Sequence, residues 1–297
     1  MPIASAPSPC KIMNLKGKRI LVTGGSGSLG RAIITDLLKL GATEIISLSR
    51  DEGLIKSAEM EIPSSKVTFR VGDIRDKETI LKLLKNIDIV YHTAAMKHVG
   101  LAEKYPREVV QTNIIGLLNL LDASENVSRL INISSDKAIG VVNCYGATKL
   151  LQEYLVSETN TLYKGAFVNV RFPNLFDSRG SVLDRWRIEV LKKNTVTITD
   201  HTMTRYFILL SDAAEFVVET SLLSSIDPKK VYFPKKGIKK FNLGELAEAF
   251  VEVFGNSKTK IVETGALPHE KIHEEYLPYI RLCKKEELVK ILEHIKN

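Results

Sequence analysis

The chain has 297 residues, 44% of them hydrophobic and 26% charged, with a formal net charge of +7. That length builds a sizeable core, and the composition excludes a disordered, collagen-like or disulfide-scaffold protein. The lysine pairs are scattered and not set among aromatics, which reads as a solvated surface rather than a nucleic-acid groove; an anionic nucleotide ligand would also suit the charge.

Residues 1–16, with Ala-Pro-Ser-Pro, read as a disordered leader rather than a signal peptide. The first predicted element is a buried strand over 19–23, which runs into Gly24-Gly25-Ser26-Gly27-Ser28-Leu29-Gly30 and then an amphipathic helix to about residue 40. Glycines at 24, 27 and 30 let the backbone turn tightly, approach a pyrophosphate and pack helix on strand, and the helix N-terminus offers unpaired N–H groups to phosphate. Strand before and helix after supply the context that a bare glycine pattern lacks. A second strand, 44–48, ends in Ser49-Arg50-Asp51-Glu52. An acidic residue there would hold the ribose hydroxyls of NAD, whereas Arg50 pairs with a 2′-phosphate and points to NADP. A third strand, 67–71, leads to Gly72-Asp73-Ile74, placed at the adenine. A fourth, 88–92, leads to Thr93-Ala94-Ala95-Met96-Lys97, whose small residues let the chain pass close under a cofactor. A helix over 107–124 contains Thr112-Asn113.

A buried strand over 130–133 then opens into Ser134-Ser135-Asp136-Lys137 and, shortly after, Tyr145-Gly146-Ala147-Thr148-Lys149. Tyr145 and Lys149 share one helix face. A cation beside a phenol favours the phenolate, which moves Tyr145 towards general-base chemistry, and Ser135 can hydrogen-bond the oxygen whose proton Tyr145 takes. Asp136 and Lys137 put a carboxyl and an amine side by side at a strand end, where the sites of open parallel sheets lie. Tyr-x-x-x-Lys alone would read as an ordinary exposed pair; the five residues in a strand–loop–helix setting read as an active site.

The later half reads as a loop from 174, a helix over 182–193, a strand over 195–199, a helix over 213–223 and a strand over 231–233. A helix over 241–254, a strand over 260–262 and a charged terminal helix over 285–295 follow. The alternation predicts an α/β protein, a Rossmann-type doubly wound parallel sheet with a smaller C-terminal lobe. Its expected parts are the leader 1–16, a sheet domain over 17–173 to which 205–235 returns, and a lobe of 174–204 with 236–297. Cys10, Cys144 and Cys283 have no paired spacing and the histidines form no ligand cluster, so neither a disulfide nor a zinc site is expected. No run approaches the roughly 20 apolar residues of a membrane helix, so a soluble, cytoplasmic protein is expected.

These motifs together resemble an extended short-chain dehydrogenase/reductase. Thr-Gly-Gly-Ser-Gly-Ser-Leu-Gly, Gly72-Asp73-Ile74 and Tyr145-x-x-x-Lys149 belong to that whole superfamily. Ser49-Arg50-Asp51-Glu52, Ala94-Ala95-Met96-Lys97-His98-Val99, Ser134-Ser135-Asp136-Lys137-Ala138, Ser178-Arg179-Gly180-Ser181-Val182 and Met203-Thr204-Arg205 are similar to its polysaccharide-biosynthesis branch, which includes inverting UDP-N-acetylglucosamine 4,6-dehydratases. The chain departs from that branch at Val141, at Phe172-Pro173-Asn174, at Asp177 and Asp184, and in a late motif, 266–274, that lacks its arginine.

The resemblance implies an NADP site at Gly24, Ser26, Gly27, Ser28, Leu29, Gly30, Ser49, Arg50, Asp73, Ile74, Ala94, Ala95 and Lys97, with Tyr145 and Lys149. It implies a UDP-sugar held by Lys97, Asn174, Arg179, Ser181, Arg205 and Glu270, and a homo-oligomer without nucleic-acid or membrane partners. Ser135, Asp136, Lys137, Tyr145 and Lys149 are then the catalytic set: Tyr145 as base at C4, Lys137 as base at C5, Asp136 as acid at C6. A UDP-sugar 4-epimerase, which needs no Asp136-Lys137, and a non-catalytic NADP-binding protein are the competing readings.

Overall fold

The computed structural model describes residues 3–4, 14–277 and 279–296. It divides into two compact units, Met1–Phe172 with Ser211–Pro234, and Pro173–Leu210 with Lys235–Asn297.

The first unit is built on a parallel sheet. From edge to edge its strands are Ile3–Ala4, Val231–Tyr232, Ala166–Phe172, Arg129–Ser135, Ile89–His92, Arg19–Thr23, Glu44–Ser49 and Val67–Val71, every neighbouring pair parallel. The inner strands are apolar on both faces (Ile20, Leu21, Val22, Ile89, Val90 and Tyr91 have no exposure), as a sheet covered on both sides requires. The strand order reverses between Arg19–Thr23 and Ile89–His92. Ligands of open α/β sheets bind outside the strand C-termini at such a reversal. Helices start on the caps that the sequence provides: the Asp51 carboxylate accepts from Leu54 N at 2.8 Å, Asp76 from Glu78 N at 3.1 Å, and Asn143 from Gly146 N at 2.8 Å.

Three features of this unit depart from the sequence expectation. The strand Ala166–Phe172 carries Asn169 and Arg171 and does not read as an apolar run; both find buried partners, Asn169 in Asn132 and Arg171 in Glu153. The expected helix over 107–124 is three joined pieces, Pro106–Val109, a π-helical turn Val110–Ile115 and Gly116–Asp122. The expected leader lies mostly outside the described residues, as does Cys10. Of its described part, Ile3–Ala4 pair parallel with Val231–Tyr232 and Leu15 is buried, so those residues are not a free leader.

The second unit has a three-stranded sheet, Lys239–Asn242, Thr204–Leu209 and Asn174–Phe176, and a parallel pair, Thr195–Ile198 with Lys260–Glu263. Its helices Val182–Lys193, Leu243–Phe254 and Lys285–Lys296 close a core around Trp186, Phe207 and Phe250. Trp186 packs edge-on against Phe250 at 5.3 Å, and its indole N–H donates to Thr197 O at 2.8 Å. The boundary expected at 205 falls at Ser211 instead. Phe207 stacks on Phe176 at 4.3 Å, and Thr204–Leu209 pairs with Asn174–Phe176, so both segments join the second unit as strands. Among the described residues no helix is long and apolar enough to cross a membrane.

Candidate active site

The site is assembled at the C-terminal ends of the first unit's central strands. Gly24 follows Arg19–Thr23 with φ of 69°, and a Cβ there would lie 2.8 Å from Ala94 N. Only glycine accepts that conformation beside the 93–94 backbone. A Cβ on Gly30 would stand 2.5 Å from Gly24 O, so the helix Ser28–Lys39 rests directly on the turn. This helix starts at Gly27 with no side-chain cap and no acidic residue in its first turn. Its first N–H groups therefore face outward with positive electrostatic character, which suits a diphosphate. Ser26 and Leu29 are buried, and Ser26 N donates to Ser49 Oγ at 3.1 Å, tying the glycine turn to the second strand.

At that strand's end Arg50 is half exposed, with Nη1 3.5 Å from Asp73 Oδ2. Arg75, which the sequence reading overlooked, holds the same oxygen at 2.7 Å. Burial pushes the Asp73 carboxyl up, but the hydrogen bonds from Arg75 and the charge of Arg50 outweigh it and hold the group below its usual range. Arg75 also meets Glu108 Oε2 at 3.1 Å, so its charge is shared between two carboxylates and Arg50 is the more exposed guanidinium of the rim. Ile74, expected at the adenine, follows Asp73 directly after the third strand. Its side chain is buried, and a Cβ on Gly116 would meet it at 2.6 Å.

The 94–97 loop is carried by Asn113, which sits in the π-helical turn. Its Oδ1 accepts from Met96 N at 2.8 Å, and its Nδ2 donates to Met96 O at 3.1 Å and to Thr148 Oγ1 at 3.0 Å. One buried amide thus joins the loop of Ala94 and Ala95 to the helix that bears Tyr145 and Lys149. Lys97 itself is exposed.

The strand Arg129–Ser135 delivers Ser135 and then a short 3₁₀ turn, Asp136–Ala138. The Ser135 hydroxyl donates to Asp136 Oδ1 at 2.9 Å and accepts from Lys137 N at 3.3 Å. Lys137 Nζ is 3.0 Å from the same Asp136 oxygen. Asp136 is only 3% exposed. The following helix, Cys144–Thr159, is pressed onto this turn, since a Cβ on Gly146 would stand 2.3 Å from Lys137 O. The sequence thus brings Ser135, Asp136, Lys137 and Tyr145 into one cluster.

The electrostatics of Tyr145 differ from the expectation that Lys149 lowers its pKa. The ring is partly exposed, but its hydroxyl end is buried, and burial pushes the phenol up to about 12. The charge of Lys137 and the hydrogen bond with Ser135 oppose this, and Asp136 adds to it. Lys149 lies 6.0 Å from the ring centroid, is 2% exposed, and is itself brought down to about 7 by burial, against the pull of Glu153. Its ammonium donates to Ile133 O at 2.7 Å and to Gln152 Oε1 at 2.9 Å. Glu153 is buried with Ser134 Oγ at 2.5 Å and Arg171 Nη2 at 2.5 Å. Gln152 and Glu153 carried no signal in the sequence, because polar residues within a helix read as its solvated face.

The second unit holds most of the remaining candidates. Asn174 Nδ2 donates to Tyr206 O and to Glu274 Oε2, both at 2.9 Å, and Arg205 Nε lies 3.4 Å from Glu274 Oε1. Asn174 and Arg205 are therefore brought together, on a carboxylate the sequence reading had not singled out. Ser181 caps the helix Val182–Lys193, accepting from Asp184 N at 3.4 Å, next to exposed Arg179. Glu270 is half buried.

The profile of a family described as "Polysaccharide biosynthesis protein" matches residues 20–295. The inverting UDP-N-acetylglucosamine 4,6-dehydratase of Campylobacter jejuni is 37% identical over 87% of this chain and 77% of that protein. A UDP-glucose 4-epimerase of Rickettsia bellii is 32% identical over 91% of this chain and 81% of its own length. Among solved structures, Pen from Bacillus thuringiensis superposes with a TM-score of 0.87 at 28% identity, covering 96% of this chain and 99% of that one.

Proposed function

The chain belongs to the polysaccharide-biosynthesis branch of the extended short-chain dehydrogenase/reductases, and from that premise we propose that it is an inverting UDP-N-acetylhexosamine 4,6-dehydratase that uses NADP. The observation that carries the reading is the Asp136–Lys137 pair, 3.0 Å apart and sharing Ser135 with Tyr145. A 4-epimerase has no use for an acid and a base at that position.

A dinucleotide suits the residues present. The turn at Gly24 leaves no room for side chains, the helix at Ser28 begins uncapped, and Arg50 and Arg75 line the rim where a 2′-phosphate would lie. A nicotinamide held there would supply the hydride acceptor for C4 and the hydride donor for C6 of the sugar. Tyr145 takes the C4 hydroxyl proton. With its phenol raised to about 12 by burial, Tyr145 depends on nearby positive charge to act near neutrality. Lys137 supplies such charge while it is protonated, before its proton passes to Asp136.

Ketone formation at C4 acidifies the hydrogen at C5. One proton passed from Lys137 to Asp136 across their contact turns an ion pair into an amine base and a carboxylic acid. The amine then removes the C5 proton, and the acid protonates the departing C6 hydroxyl. After hydride return at C6 the resulting enolate takes a proton at C5, and delivery on the face opposite Lys137 inverts that centre. Burial favours the neutral pair, since charges in a dry site are costly. Asn174, Arg179, Ser181, Arg205, Glu270 and Lys97 are the proposed contacts of the UDP-sugar.

Mass spectrometry of the purified protein incubated with UDP-N-acetylglucosamine and other UDP-hexoses tests the reading. A product lighter by one water is expected. An isomer of unchanged mass would show an epimerase instead.

A further inference from the structure

Lys149 does not meet only main chain. Its second partner, Gln152, is fully buried three residues along the same helix. Gln152 Nε2 donates at 2.5 Å to the main-chain carbonyl of Asn113, inside the π-helical turn Val110–Ile115. Such turns recur where a helix must offer groups outside its own ladder. The amide has one workable orientation. Turned over, it would set its NH₂ against the Lys149 ammonium and its oxygen against the Asn113 carbonyl.

A line of polar contacts, part-buried at Met96 and buried from Asn113 on, therefore runs from the Met96 backbone to the Asn113 side chain and from the Asn113 carbonyl through Gln152 to Lys149. We propose that Gln152 is a positioning residue which holds the ammonium form of Lys149 by anchoring it to the Asn113 carbonyl, and so ties its charge to the seating of the 94–97 loop. The inference deepens the reading of Lys149 as part of the catalytic set.

The physical basis is the count of acceptors. A buried ammonium cannot replace a lost acceptor with water, so each protein oxygen decides how much of it stays protonated. Ile133 O alone would remain if the Gln152 oxygen were removed. Burial already brings Lys149 to about 7, where small changes alter its charge at neutral pH.

The test reads Lys149 directly and needs no turnover. Protein labelled with [ε-¹³C]lysine is titrated by NMR, and the Lys149 resonance is assigned by its loss in Lys149→Met. Gln152→Met, close in shape but without the acceptor, is expected to titrate about one pH unit lower, a tenfold loss of ammonium at a given pH. Gln152→Glu keeps an acceptor and adds charge beside Lys149, although it gives up the donor to Asn113 O, and is expected to titrate higher than wild type. The same order is expected in the pH dependence of NADP affinity, whose alkaline limb moves acidward in Gln152→Met. Unchanged Lys149 titration in both variants, with only thermal stability lowered, would overturn the proposal and leave Gln152 as packing. If the protein transforms no UDP-sugar, the functional reading fails while the titration still decides the role of Gln152.

Discussion

Two places in the sheet unit hold clustered charges, and water separates their behaviour. Around the strand Arg129–Ser135 the charges are dry: the side chains of Asp136 and Glu153 are each 1% exposed. Around Asp73 they are wet: the Arg50, Arg75 and Asp73 side chains are 51%, 33% and 25% exposed. In the dry cluster burial moves Tyr145 up to about 12 and Lys149 down to about 7. In the wet cluster burial raises Asp73 while its arginine partners lower it, and the net direction is down. On the proposed reading the first place moves protons and the second recognises charge, and a substitution should read accordingly.

The largest effect is expected in the dry cluster. Tyr145→Phe should keep the fold and the cofactor site, yet lower the rate of C4 oxidation by about 10²–10⁴, the usual weight of a general base. Pre-steady-state reduction of NADP, followed by absorbance, reads it. Normal turnover would make Tyr145 a packed aromatic.

Lys149 sharpens the comparison through pH. Folding depresses its pKa to about 7, so between that value and the ordinary lysine range the unfolded chain holds a proton that the folded chain lacks. Stability linked to Lys149 is therefore missing at low pH and grows as pH rises through that window. Relative to Lys149→Met, wild type should gain up to about 1.4 kcal/mol per pH unit there. Urea unfolding of both proteins across the window measures it, and a pH-independent difference would contradict the dry-charge account.

The smallest effect belongs to the wet rim. Arg50→Ala should reduce the preference for NADP over NAD by roughly tenfold, a charge-assisted contact weakened by water. Titration of both proteins with both cofactors checks this. Equal affinities in wild type would remove Arg50 from 2′-phosphate recognition.

The same contrast governs what the sequence made legible. Gly24 and Gly30 stand out because the backbone has no alternative there, and the strand–turn–helix they belong to is where the spacing puts it. Ser135, Asp136, Lys137 and Tyr145 stand out because local spacing alone brings them together. Contacts made across the fold left no such trace. Asn113, Gln152 and Glu153 are polar residues in helices, and only the buried partners they meet separate them from surface ones. Asn169 and Arg171 hid a central strand for the same reason. The expected influence of Lys149 on Tyr145 was argued from helix spacing. It overlooked that burial acts on both groups, raising one and lowering the other.

The central claim is that Asp136 and Lys137 work as acid and base on a sugar ketone, and the fate of the C5 hydrogen tests it most directly. Wild type turning over UDP-N-acetylglucosamine in D₂O should place deuterium at C5 of a 4-keto-6-deoxy product of L-arabino configuration. Lys137→Ala should bind cofactor as wild type does while losing both elimination and exchange. An early D-xylo product, or C5 exchange undiminished in Lys137→Ala, would contradict the assignment.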